Sequence, residues 1–450
     1  MFRRILIANR GEVAARVART ARRMGVEVVA VASTADRDSR WLEEVDTVVT
    51  LGAPRAAQSY LDQDALIATA LHHRCAAVHP GWGFLAENDA FATRCEAAGL
   101  TFIGPPGPLM RRMGDKAAAR QTMEALGLSG IPGSDGALEN LDEARRVAAG
   151  MGYPVLLKAV AGGGGRGMRA VDGPEGLAEA WNSASSEAFS AFGDGRLYLE
   201  RRIDGGRHVE VQILADRYGT VLHLGERECS LQRRHQKVLE EARSPGLSPE
   251  ERERILPLVA SVVARTGYVG AGTVEMLVDA SGRAWFMEMN TRLQVEHPVT
   301  EAITGLDLVE LQLRIAAGEA MPLRQEDVTF AGHAIECRIN AEDPDADFRP
   351  CPGVVEHLGL AGGEGIRVDT HLRSGDRIPP FYDSMIAKVI AYGSDRDEAI
   401  ARMRSALAAS EVRGVTTNIG LHLRILDWAP FTTGAYHTKS LEHGLAGGEL

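Results

Sequence analysis

The sequence feature that most constrains the fold is the alternating stretch at 284–298, which reads AWFMEMNTRLQVEHP. Alternation of polar and apolar side chains is typical of a β-strand, whose successive residues face opposite sides of a sheet. In this strand Glu288 and Asn290 are predicted to face one side, whereas Met287 and Met289 face the other. A carboxylate and an amide therefore share one surface of the predicted sheet.

A second strand is predicted just upstream, so the stretch forms one arm of a β-hairpin. Residues 273–278 (TVEMLV) favour a strand, and residues 279–282 (DASG) favour the turn between the two arms. Symmetric pairing about Ser281–Gly282 places Glu275 opposite Glu288. Two acids in directly opposed positions destabilise an antiparallel pair unless something neutralises them.

The oxygen-bearing side chains of the hairpin form a predicted magnesium site: Glu275, Glu288 and Asn290. Mg²⁺ binds one or two carboxylates and completes its octahedral shell with water and phosphate oxygens. A solvated hairpin with two exposed acids is the alternative, and the hairpin alone does not decide between them. Arg292, Gln294 and Glu296 continue the alternation with a cation, an amide and an acid, which favours a site for anion chemistry.

Composition and charge narrow the classes of protein to which the chain can belong. A chain of 450 residues with 45% apolar residues favours about three globular domains. A net charge of −11 argues against a general nucleic-acid-binding or membrane-surface protein, although local basic clusters can still bind anions. The start of the chain lacks a secretion-signal pattern and no later segment is apolar enough to span a membrane, so we expect a cytoplasmic protein.

The five cysteines are scattered along the chain without CxxC spacing: Cys75, Cys95, Cys229, Cys337 and Cys351. We therefore expect reduced thiols and no zinc site. Cys229 lies in a charged segment, where we expect a small, partly buried residue rather than a nucleophile.

The N-terminal third favours an open parallel sheet of the Rossmann type, because short apolar strands alternate with helices. The predicted elements are strands at 4–8, 26–32, 76–79 and 100–104 and a helix at 11–24. The first strand-to-helix turn lacks a GxGxxG pattern, so dinucleotide binding at that turn is disfavoured. The glycine-rich segment 79–88 (HPGWGFLAEN) follows a strand end, where it forms either the wall of a ligand site or a plain turn.

Two lysines and a glycine-rich loop predict a phosphate site in the middle of the chain. Asp115 is predicted to cap a helix that extends to Ala125, and Lys116 at its first position opposes the helix dipole unless an anion lies nearby. Lys158 ends a predicted strand, and the loop GGGGRGM follows at 162–168. Its glycines can turn backbone N–H groups toward phosphate oxygens, whereas a flexible linker is the alternative.

A dense run of charge follows at 226–238, which reads ERECSLQRRHQKV. A solvated loop is one interpretation of such a run. The cationic half of a phosphate site is the other, because acids that can hold a metal are predicted nearby.

The rest of the chain is predicted as helices and strands of ordinary length. Residues 301–317 favour one helix, and Ser394 is predicted to cap another near 396–409. Residues 248–251 (SPEE) form a predicted capping box. On a strand at 332–340, one face carries Glu336, Arg338 and Asn340.

Taken together, these motifs closely resemble the biotin carboxylase subunit or domain of biotin-dependent carboxylases of the acetyl-CoA carboxylase type, within the ATP-grasp superfamily. The resemblance covers nearly the whole chain. The motifs that carry it are HPG at 79–81, MGDK at 113–116, the glycine loop at 162–168, QRRHQK at 232–237, EMNTR at 288–292, QVEHP at 294–298 and ECRINAE at 336–342.

The resemblance implies an α/β (α+β) fold in three regions. A Rossmann-like N-terminal domain would occupy 1–114, an ATP-grasp central domain 115–328, and a mixed, β-rich C-terminal domain 329–450. A mobile lid at about 131–203 would close over ATP in members of this family.

The resemblance also implies site residues for ATP and the metal. Lys116 and Lys158 would touch the phosphates, and the loop with Gly164 and Gly165 would cover them. The other implied nucleotide contacts are Glu200, Arg201 and Ile203 at adenine and His208, Gln232 and His235 near the ribose. Glu275, Glu288 and Asn290 would hold Mg²⁺ or Mn²⁺, in agreement with the hairpin argument.

The implied reaction joins ATP and bicarbonate to give carboxyphosphate, after which the ureido nitrogen of biotin is carboxylated. The residues that would bind bicarbonate are Lys237, Arg292 and the backbone of Gln294 and Val295. Glu296 would take the bicarbonate proton, and Arg338 would stabilise the enolate-like oxygen of biotin. Trp82 would lie at the substrate site, where Tyr is usual in the family.

The implied partners are a biotin carboxyl carrier protein or domain, on which biotin is the carried substrate, and a carboxyltransferase. The chain shows no biotin-accepting lysine motif, so we expect the carrier on another chain or a further segment. Relatives that dimerise often carry an acid where Arg23 stands and an aromatic where Glu364 stands, which leaves the geometry of a homodimer open. Arg201 replaces a common Lys near adenine.

Two other functions are compatible with part of the pattern. An ATP-grasp ligase with a different acceptor would share the metal site but would not need Arg338 or the run at 292–296. A catalytically inactive nucleotide-binding module should have lost one of Lys237, Glu288 and Glu296, and all three are present. The sequence does not indicate the final acceptor, because a carboxyltransferase would select it.

Overall fold

The N-terminal region is a layered α/β unit in a computed structural model that describes residues 1–161 and 167–450. Its elements are β1 (Arg4–Ile7), α1 (Gly11–Arg23), β2 (Glu27–Ser33), β3 (Thr47–Gly52), α2 (Gln63–His72), β4 (Ala77–His79), α3 (Asp89–Ala97), β5 (Thr101–Phe102) and α4 (Gly107–Gly114). The five strands form a parallel sheet in the order β3-β2-β1-β4-β5.

The predicted Rossmann-type sheet is therefore confirmed, with one strand added. Strand β3 was not predicted from the sequence. It lies at the edge of the sheet, where alternate residues are exposed, so it lacks the continuous apolar run of the inner strands. Strand β4 ends at His79, so the segment 80–88 leaves the sheet at the carboxyl edge, where ligands usually bind.

The central region contains a small sheet, two helices on it, and most of a large sheet. Its elements are α5 (Lys116–Ala125), α6 (Leu141–Met151), β6 (Val155–Ala159), β7 (Met168–Val171), α7 (Leu177–Phe192), β8 (Leu197–Arg201), β9 (Arg207–Ala215), β10 (Val221–Arg233), β11 (Gln236–Ala242), α8 (Pro249–Ala264), β12 (Gly270–Val278), β13 (Ala284–Asn290), α9 (His297–Thr304) and α10 (Leu308–Ala316). Strands β7-β6-β8 form the small antiparallel sheet within the predicted lid region, and α6 and α7 pack on it around a separate apolar core.

The C-terminal region continues with short strands and helices. Its elements are β14 (His333–Asn340), β15 (Glu342–Asp343), β16 (Arg349–Pro350), β17 (Gly353–Val354), β18 (His357–Gly359), β19 (Ile366–Thr370), β20 (Arg377–Ile378), β21 (Met385–Gly393), α11 (Arg396–Ala408), β22 (Glu411–Arg413), α12 (Ile419–Asp427), α13 (Ala429–Thr432) and α14 (Ser440–Gly447).

One antiparallel sheet of eight strands runs through the central and C-terminal regions, in the order β13-β12-β9-β10-β11-β14-β21-β19. The pairing of β11 with β14 carries the sheet across the predicted domain boundary at 328. The apolar core of the C-terminal region also contains Leu231, Val238 and Leu239 of the central region. The two regions are thus joined both by backbone hydrogen bonds and by packing.

The hairpin that was predicted to hold a metal forms with the predicted pairing, because Glu275 lies opposite Glu288. The prediction for Met287 is wrong. The register shifts by one residue between Glu275 and Met276, so β13 contains a bulge that places Met287 on the cavity side with Glu288 and Asn290.

Two helix predictions need correction. The helix predicted at 301–317 is two helices, α9 and α10, because Gly305 adopts a left-handed conformation and Asp307 caps the second one by accepting from the Glu310 amide. The cap of α11 is Asp395 rather than Ser394, since the Asp395 carboxylate accepts from the Glu398 amide.

The charged run at 226–238 is not a solvated loop. It forms the end of β10 and the start of β11, joined by a turn at Arg234 and His235. Residues 226–232 are buried in the large sheet, and Cys229 among them is fully buried. The run therefore brings its charged side chains to a sheet surface, as the phosphate-site interpretation requires.

The structure describes only part of the predicted glycine loop, and it bears on the membrane-span prediction only for the described residues. The glycine loop with Gly164 and Gly165 lies outside the described residues apart from its last two positions. Within 1–161 and 167–450, no helix combines the length and apolar character needed to cross a bilayer.

All five cysteines carry free thiols, and four of them are buried.

Asp307 should contribute to stability through its charge. Although burial opposes ionisation, the guanidinium groups of Arg16 and Arg23 lower the pKa of Asp307 to about 2. A carboxyl pKa below its ordinary value stabilises the fold at neutral pH, and that stabilisation is lost as pH falls through the folded pKa. We expect Asp307→Asn, which keeps a good helix cap, to lower the free energy of unfolding by ~2 kcal/mol at pH 7.

The check is denaturant unfolding of the two proteins between pH 7 and pH 3. The difference in free energy of unfolding between the wild-type protein and Asp307→Asn should shrink as pH falls below about 4. The reason is that the wild-type aspartate then becomes protonated in the unfolded state and progressively in the folded state. The exposed Asp38 supplies the control Asp38→Asn, which should show no deficit at either pH. An equal deficit at both ends of the range would contradict the charge-based explanation.

Candidate active site

One polar cavity of about 460 Å³ collects most of the predicted site residues, and this volume suits a small-molecule site. Its wall is built from the segment after β4, the β12–β13 hairpin, the β10–β11 hairpin and strand β14. The predicted residues that line it are Trp82, Lys116, Lys158, His208, Gln232, His235, Lys237, Glu275, Glu288, Asn290, Arg292, Gln294, Val295 and Arg338.

Four described residues that were predicted for the site are not in that lining: Glu296, which is fully buried, and three predicted adenine contacts. Glu200 lies on a neighbouring cavity of about 270 Å³ that shares Lys116 and Tyr198 with the large one. Arg201 is exposed at the end of β8, with its guanidinium carbon 5.8 Å from the centre of the Trp285 ring. Ile203 is partly buried beside Gly206.

Lys237 is the centre of a buried ion network. Its ammonium lies 2.6 Å from Glu210, 3.1 Å from Glu275 and 2.5 Å from Glu296. Burial opposes the charge of this lysine, but the three carboxylates raise its pKa well above the ordinary value. Lys237 is therefore a permanent cation at the floor of the cavity, and it neutralises acids from β9, from β12 and from the segment after β13.

Glu296 lies between two cations and is fully buried. One carboxylate oxygen accepts from Lys237, and the other lies 2.9 Å from Nη2 of Arg338. Arg338 also donates to Glu240 from behind, at 2.6 Å from Nε. Burial raises the pKa of Glu240 above its ordinary value, although the charge of Arg338 opposes that shift.

Arg292 is held at the cavity edge by groups from two regions. Its Nε donates to Glu87 at 2.8 Å, and its other nitrogens donate to the side-chain oxygens of Asn290 and Gln294 at 3.2 and 3.0 Å. Glu87 also accepts from the Thr291 amide. A planar guanidinium fixed in this way can present a fork of N–H donors to a carboxylate-like anion.

The two lysines that were predicted to touch phosphates are paired with acids in this structure. Lys116, at the start of α5, lies 3.0 Å from Glu288, and Asp115 caps the helix as predicted. Lys158 forms a close ion pair with Glu200. Both lysines line the cavity, so an incoming polyanion would meet two ammonium groups.

His208 is buried among carboxylates at the same end of the cavity. Its Nε2 lies 3.4 Å from Glu275 and 3.7 Å from Glu210, and its Nδ1 lies 3.1 Å from the Gln232 amide. Burial opposes its protonation, but the carboxylates dominate and raise the pKa of His208 to about 9. His208 therefore adds a positive charge at neutral pH.

The residues of the hairpin fit a hard dication by the chemistry of their donor atoms. Glu275 and Glu288 face one another across the ladder, and Asn290 lies beside them, so the set offers two carboxylates and an amide oxygen. Oxygen donors of this kind, with cavity space beside them, are what Mg²⁺ requires.

Several charged residues that support the cavity were not predicted from the sequence. Glu240 and Glu210 lie in strand patterns without a motif, and only the fold brings them to Arg338 and Lys237. Arg227 is fully buried and orients Glu210 at 2.6 Å, although the sequence shows only one more charge in a charged run. Glu87 lies in the glycine-rich segment that predicted a site wall, so that signal was available.

Family comparisons cover the chain in three consecutive parts. The sequence model described as "Biotin carboxylase, N-terminal domain" matches residues 1–110. The model described as "Carbamoyl-phosphate synthase L chain, ATP binding domain" matches residues 115–324. The model described as "Biotin carboxylase C-terminal domain" matches residues 336–443.

Individual relatives match over nearly their whole length. A protein named biotin carboxylase from a Nostoc species is 48% identical over 441 residues, which is 98% of this chain and 99% of the relative. A Campylobacter jejuni biotin carboxylase solved with a β,γ-ATP ligand is 43% identical, with a TM-score of 0.95 and coverage of 98% of this chain and 99% of that one.

A third relative was solved with small ligands. The biotin carboxylase domain dimer of Hydrogenobacter thermophilus 2-oxoglutarate carboxylase, in complex with MgADP, ADP and bicarbonate, is 46% identical. Its TM-score is 0.94, and the match covers 99% of this chain and 98% of that one.

The charge of His208 can be measured without any ligand. We expect histidine NMR signals to show a pKa near 9 for His208, and Glu275→Gln should lower that pKa by at least one unit because it removes the nearest carboxylate. His223, whose pKa burial lowers to about 4, lies outside the cavity lining and should not respond to Glu275→Gln. A pKa of His208 below 6.5 in the unaltered protein would contradict the electrostatic account of the cavity.

Proposed function

The chain belongs to the biotin carboxylase family, and from that premise we propose that it uses ATP and bicarbonate to carboxylate biotin held on a carrier protein. The reaction passes through carboxyphosphate and is the first half-reaction of a biotin-dependent carboxylase. The observation that carries the proposal is that the buried Glu296 carboxylate contacts both Lys237 and Arg338, two cations that line one cavity. An acid held between two cations there can exchange a proton with a bound anion.

Bicarbonate is proposed to bind between Lys237, Arg292 and the backbone of Gln294 and Val295. These groups line the same part of the cavity, and their donors suit the planar, charged oxygens of the anion. Glu296 takes the bicarbonate proton, which leaves an oxygen that can attack the γ-phosphorus of ATP. Lys237 and Arg338 offset the negative charge of the buried Glu296 carboxylate, and both line the cavity in which the anion is proposed to bind.

ATP is proposed to lie over the other half of the cavity. Lys116 and Lys158 hold the phosphates, and Glu200, Arg201 and Ile203 are assigned to adenine, with His208, Gln232 and His235 near the ribose. Glu275, Glu288 and Asn290 would hold Mg²⁺ or Mn²⁺, which when bound neutralises charge on the phosphates. Gly164 and Gly165 are assigned to the loop over the phosphates.

Biotin is proposed to approach Arg338 beside the wall at Trp82. The carboxyphosphate breaks down to CO₂ and phosphate, and the phosphate removes the proton from the ureido nitrogen of biotin. Arg338 then stabilises the enolate-like oxygen, because its guanidinium is oriented by Glu240 toward the cavity.

The partners and domains are also proposals. A biotin carboxyl carrier protein or domain and a carboxyltransferase would complete the enzyme, and the final acceptor depends on the latter. The division at 114 and 328 is supported by the three family matches. A cytoplasmic location is supported by the five free thiols, which a reducing compartment allows.

A homodimer is proposed with a changed surface. In such a dimer Arg23 could pair with Glu364 of a second copy, but both residues already form ion pairs within the chain. Arg23 donates to Asp307 and Glu310 at 2.7 and 3.1 Å, and Glu364 lies 3.3 Å from Arg402. Both residues are exposed, so a pairing across a dimer interface would have to replace these contacts within the chain.

The direct test is the release of ADP from ATP with bicarbonate, with and without free biotin. We expect bicarbonate-dependent release that biotin accelerates, and little release by Glu288→Gln because it removes one of the two carboxylates proposed to hold Mg²⁺. Release that is indifferent to biotin would favour a ligase with another acceptor. Nucleotide binding without any turnover would favour an inactive module.

Arg338 should separate the two steps. Arg338→Gln should lower carboxybiotin formation by roughly a hundredfold or more, because one charge-stabilising donor is lost, while ATP cleavage without biotin falls less. The contact of Arg338 with Glu296 means that some loss of ATP cleavage is expected as well. The measured quantity is the ratio of ATP cleavage with biotin to that without it.

The matched variant is Glu296→Gln, which should lower both activities because it removes the proposed base. In Arg338→Gln the ratio should fall toward one. A ratio that stays at the wild-type value, with circular dichroism unchanged, would place Arg338 in the ATP or bicarbonate step instead.

A further inference from the structure

A fully buried cation lies behind the segment 294–296 and has no role in the reaction described so far. Lys388 is on β21, directly across the ladder from Arg338, so both side chains lie on the same face of the large sheet. Its Nζ donates to the carbonyl of Val295 at 2.8 Å and lies 3.2 Å from a carboxylate oxygen of Glu12 in α1. One ammonium thus joins the N-terminal helix, the C-terminal strand and the proposed bicarbonate segment.

The contact with Val295 fixes the direction of a peptide unit. In a trans peptide the carbonyl and the N–H of the next residue point in opposite directions. Because the Val295 carbonyl points inward to Lys388, the Glu296 N–H points away from the buried side. The Gln294 carbonyl is held in a similar way by the ring of His297, with Nδ1 at 2.8 Å, which turns the Val295 N–H outward.

These two N–H groups lie where an anion is proposed to bind. Gln294 and Val295 line the cavity, and in the part of the chain that the structure describes neither the Val295 amide nor the Glu296 amide donates to a protein acceptor. Two adjacent outward N–H groups form a concave donor surface for an anion. Their direction depends on the inward carbonyls, and hence on Lys388 and His297.

We propose that Lys388 is a positioning residue that sets the affinity for bicarbonate by orienting the Val295–Glu296 peptide. The inference rests on the proposed function. Glu12 supplies the counter-charge that makes a buried ammonium tolerable, because an unpaired charge in the interior is strongly destabilising. The competing explanation is that Lys388 and Glu12 form a structural ion pair and that the Val295 bond is incidental.

Three variants separate the two explanations: Lys388→Met, Glu12→Gln and the double variant. Lys388→Met removes the bond to Val295 but leaves the Glu12 carboxylate buried without its cation, so it can lower folding yield. The double variant removes the Val295 bond without leaving a charged Glu12 beside a missing cation, so it should fold better than Lys388→Met. Glu12→Gln keeps the bond to Val295.

The measurements are the KM for bicarbonate, the KM for ATP and the thermal unfolding temperature. We expect the double variant to raise the KM for bicarbonate about tenfold, the effect of one lost charge-assisted hydrogen bond, and to leave the KM for ATP within about twofold. Glu12→Gln should keep the KM for bicarbonate within about twofold of wild type. A double variant with wild-type KM for bicarbonate would overturn the proposal.

Arg16→Met provides the matched control. Arg16 is another buried cation that joins α1 to the central region, through Glu301 and Asp307, but it does not contact 294–296. Arg16→Met should lower the unfolding temperature without changing the KM for bicarbonate. A rise in that KM equal to the rise in the double variant would overturn the proposal. Wild-type protein without bicarbonate-dependent ATP cleavage would instead refute the proposed function.

Discussion

The cavity depends on the ammonium of Lys237, which neutralises three buried carboxylates at once. Glu210, Glu275 and Glu296 come from different parts of the chain and would repel one another if this cation were absent. Arg227 adds a second buried cation against Glu210, and Arg338 adds one against Glu296. Acids can therefore be gathered close enough to serve a metal and a proton transfer, because neighbouring cations offset the cost of burying them.

The balance of charge explains how one cavity can serve both an anion and a cation. Lys116, Lys158 and Arg292 each pair with an acid in this structure, so these cations already have partners of opposite sign. A polyanionic ligand can replace the acids as the partner of the lysines and arginines, and its metal can replace those cations as the partner of the acids. Binding then exchanges ion pairs rather than creating charges in a dry interior, which keeps its electrostatic cost low.

Much of this arrangement could be predicted from the sequence, because local patterns fixed it. The opposed pair Glu275 and Glu288, the cap at Asp115 and the parallel N-terminal sheet all follow from periodicity and turn chemistry. The bulge at Met287 could not be predicted, since it depends on how two strands accommodate each other. Glu240 and Lys388 escaped prediction for a related reason: their partners lie 98 and 93 residues away along the chain.

The continuous sheet has a consequence for how the polypeptide could be divided. A fragment ending at residue 328 would leave β11 as a long, unpaired edge, because its natural neighbour β14 would be missing. Exposed edges of that kind recruit other strands and aggregate. The boundary at 328 therefore does not separate independently folding units, and a soluble piece for engineering would have to retain both β11 and β14.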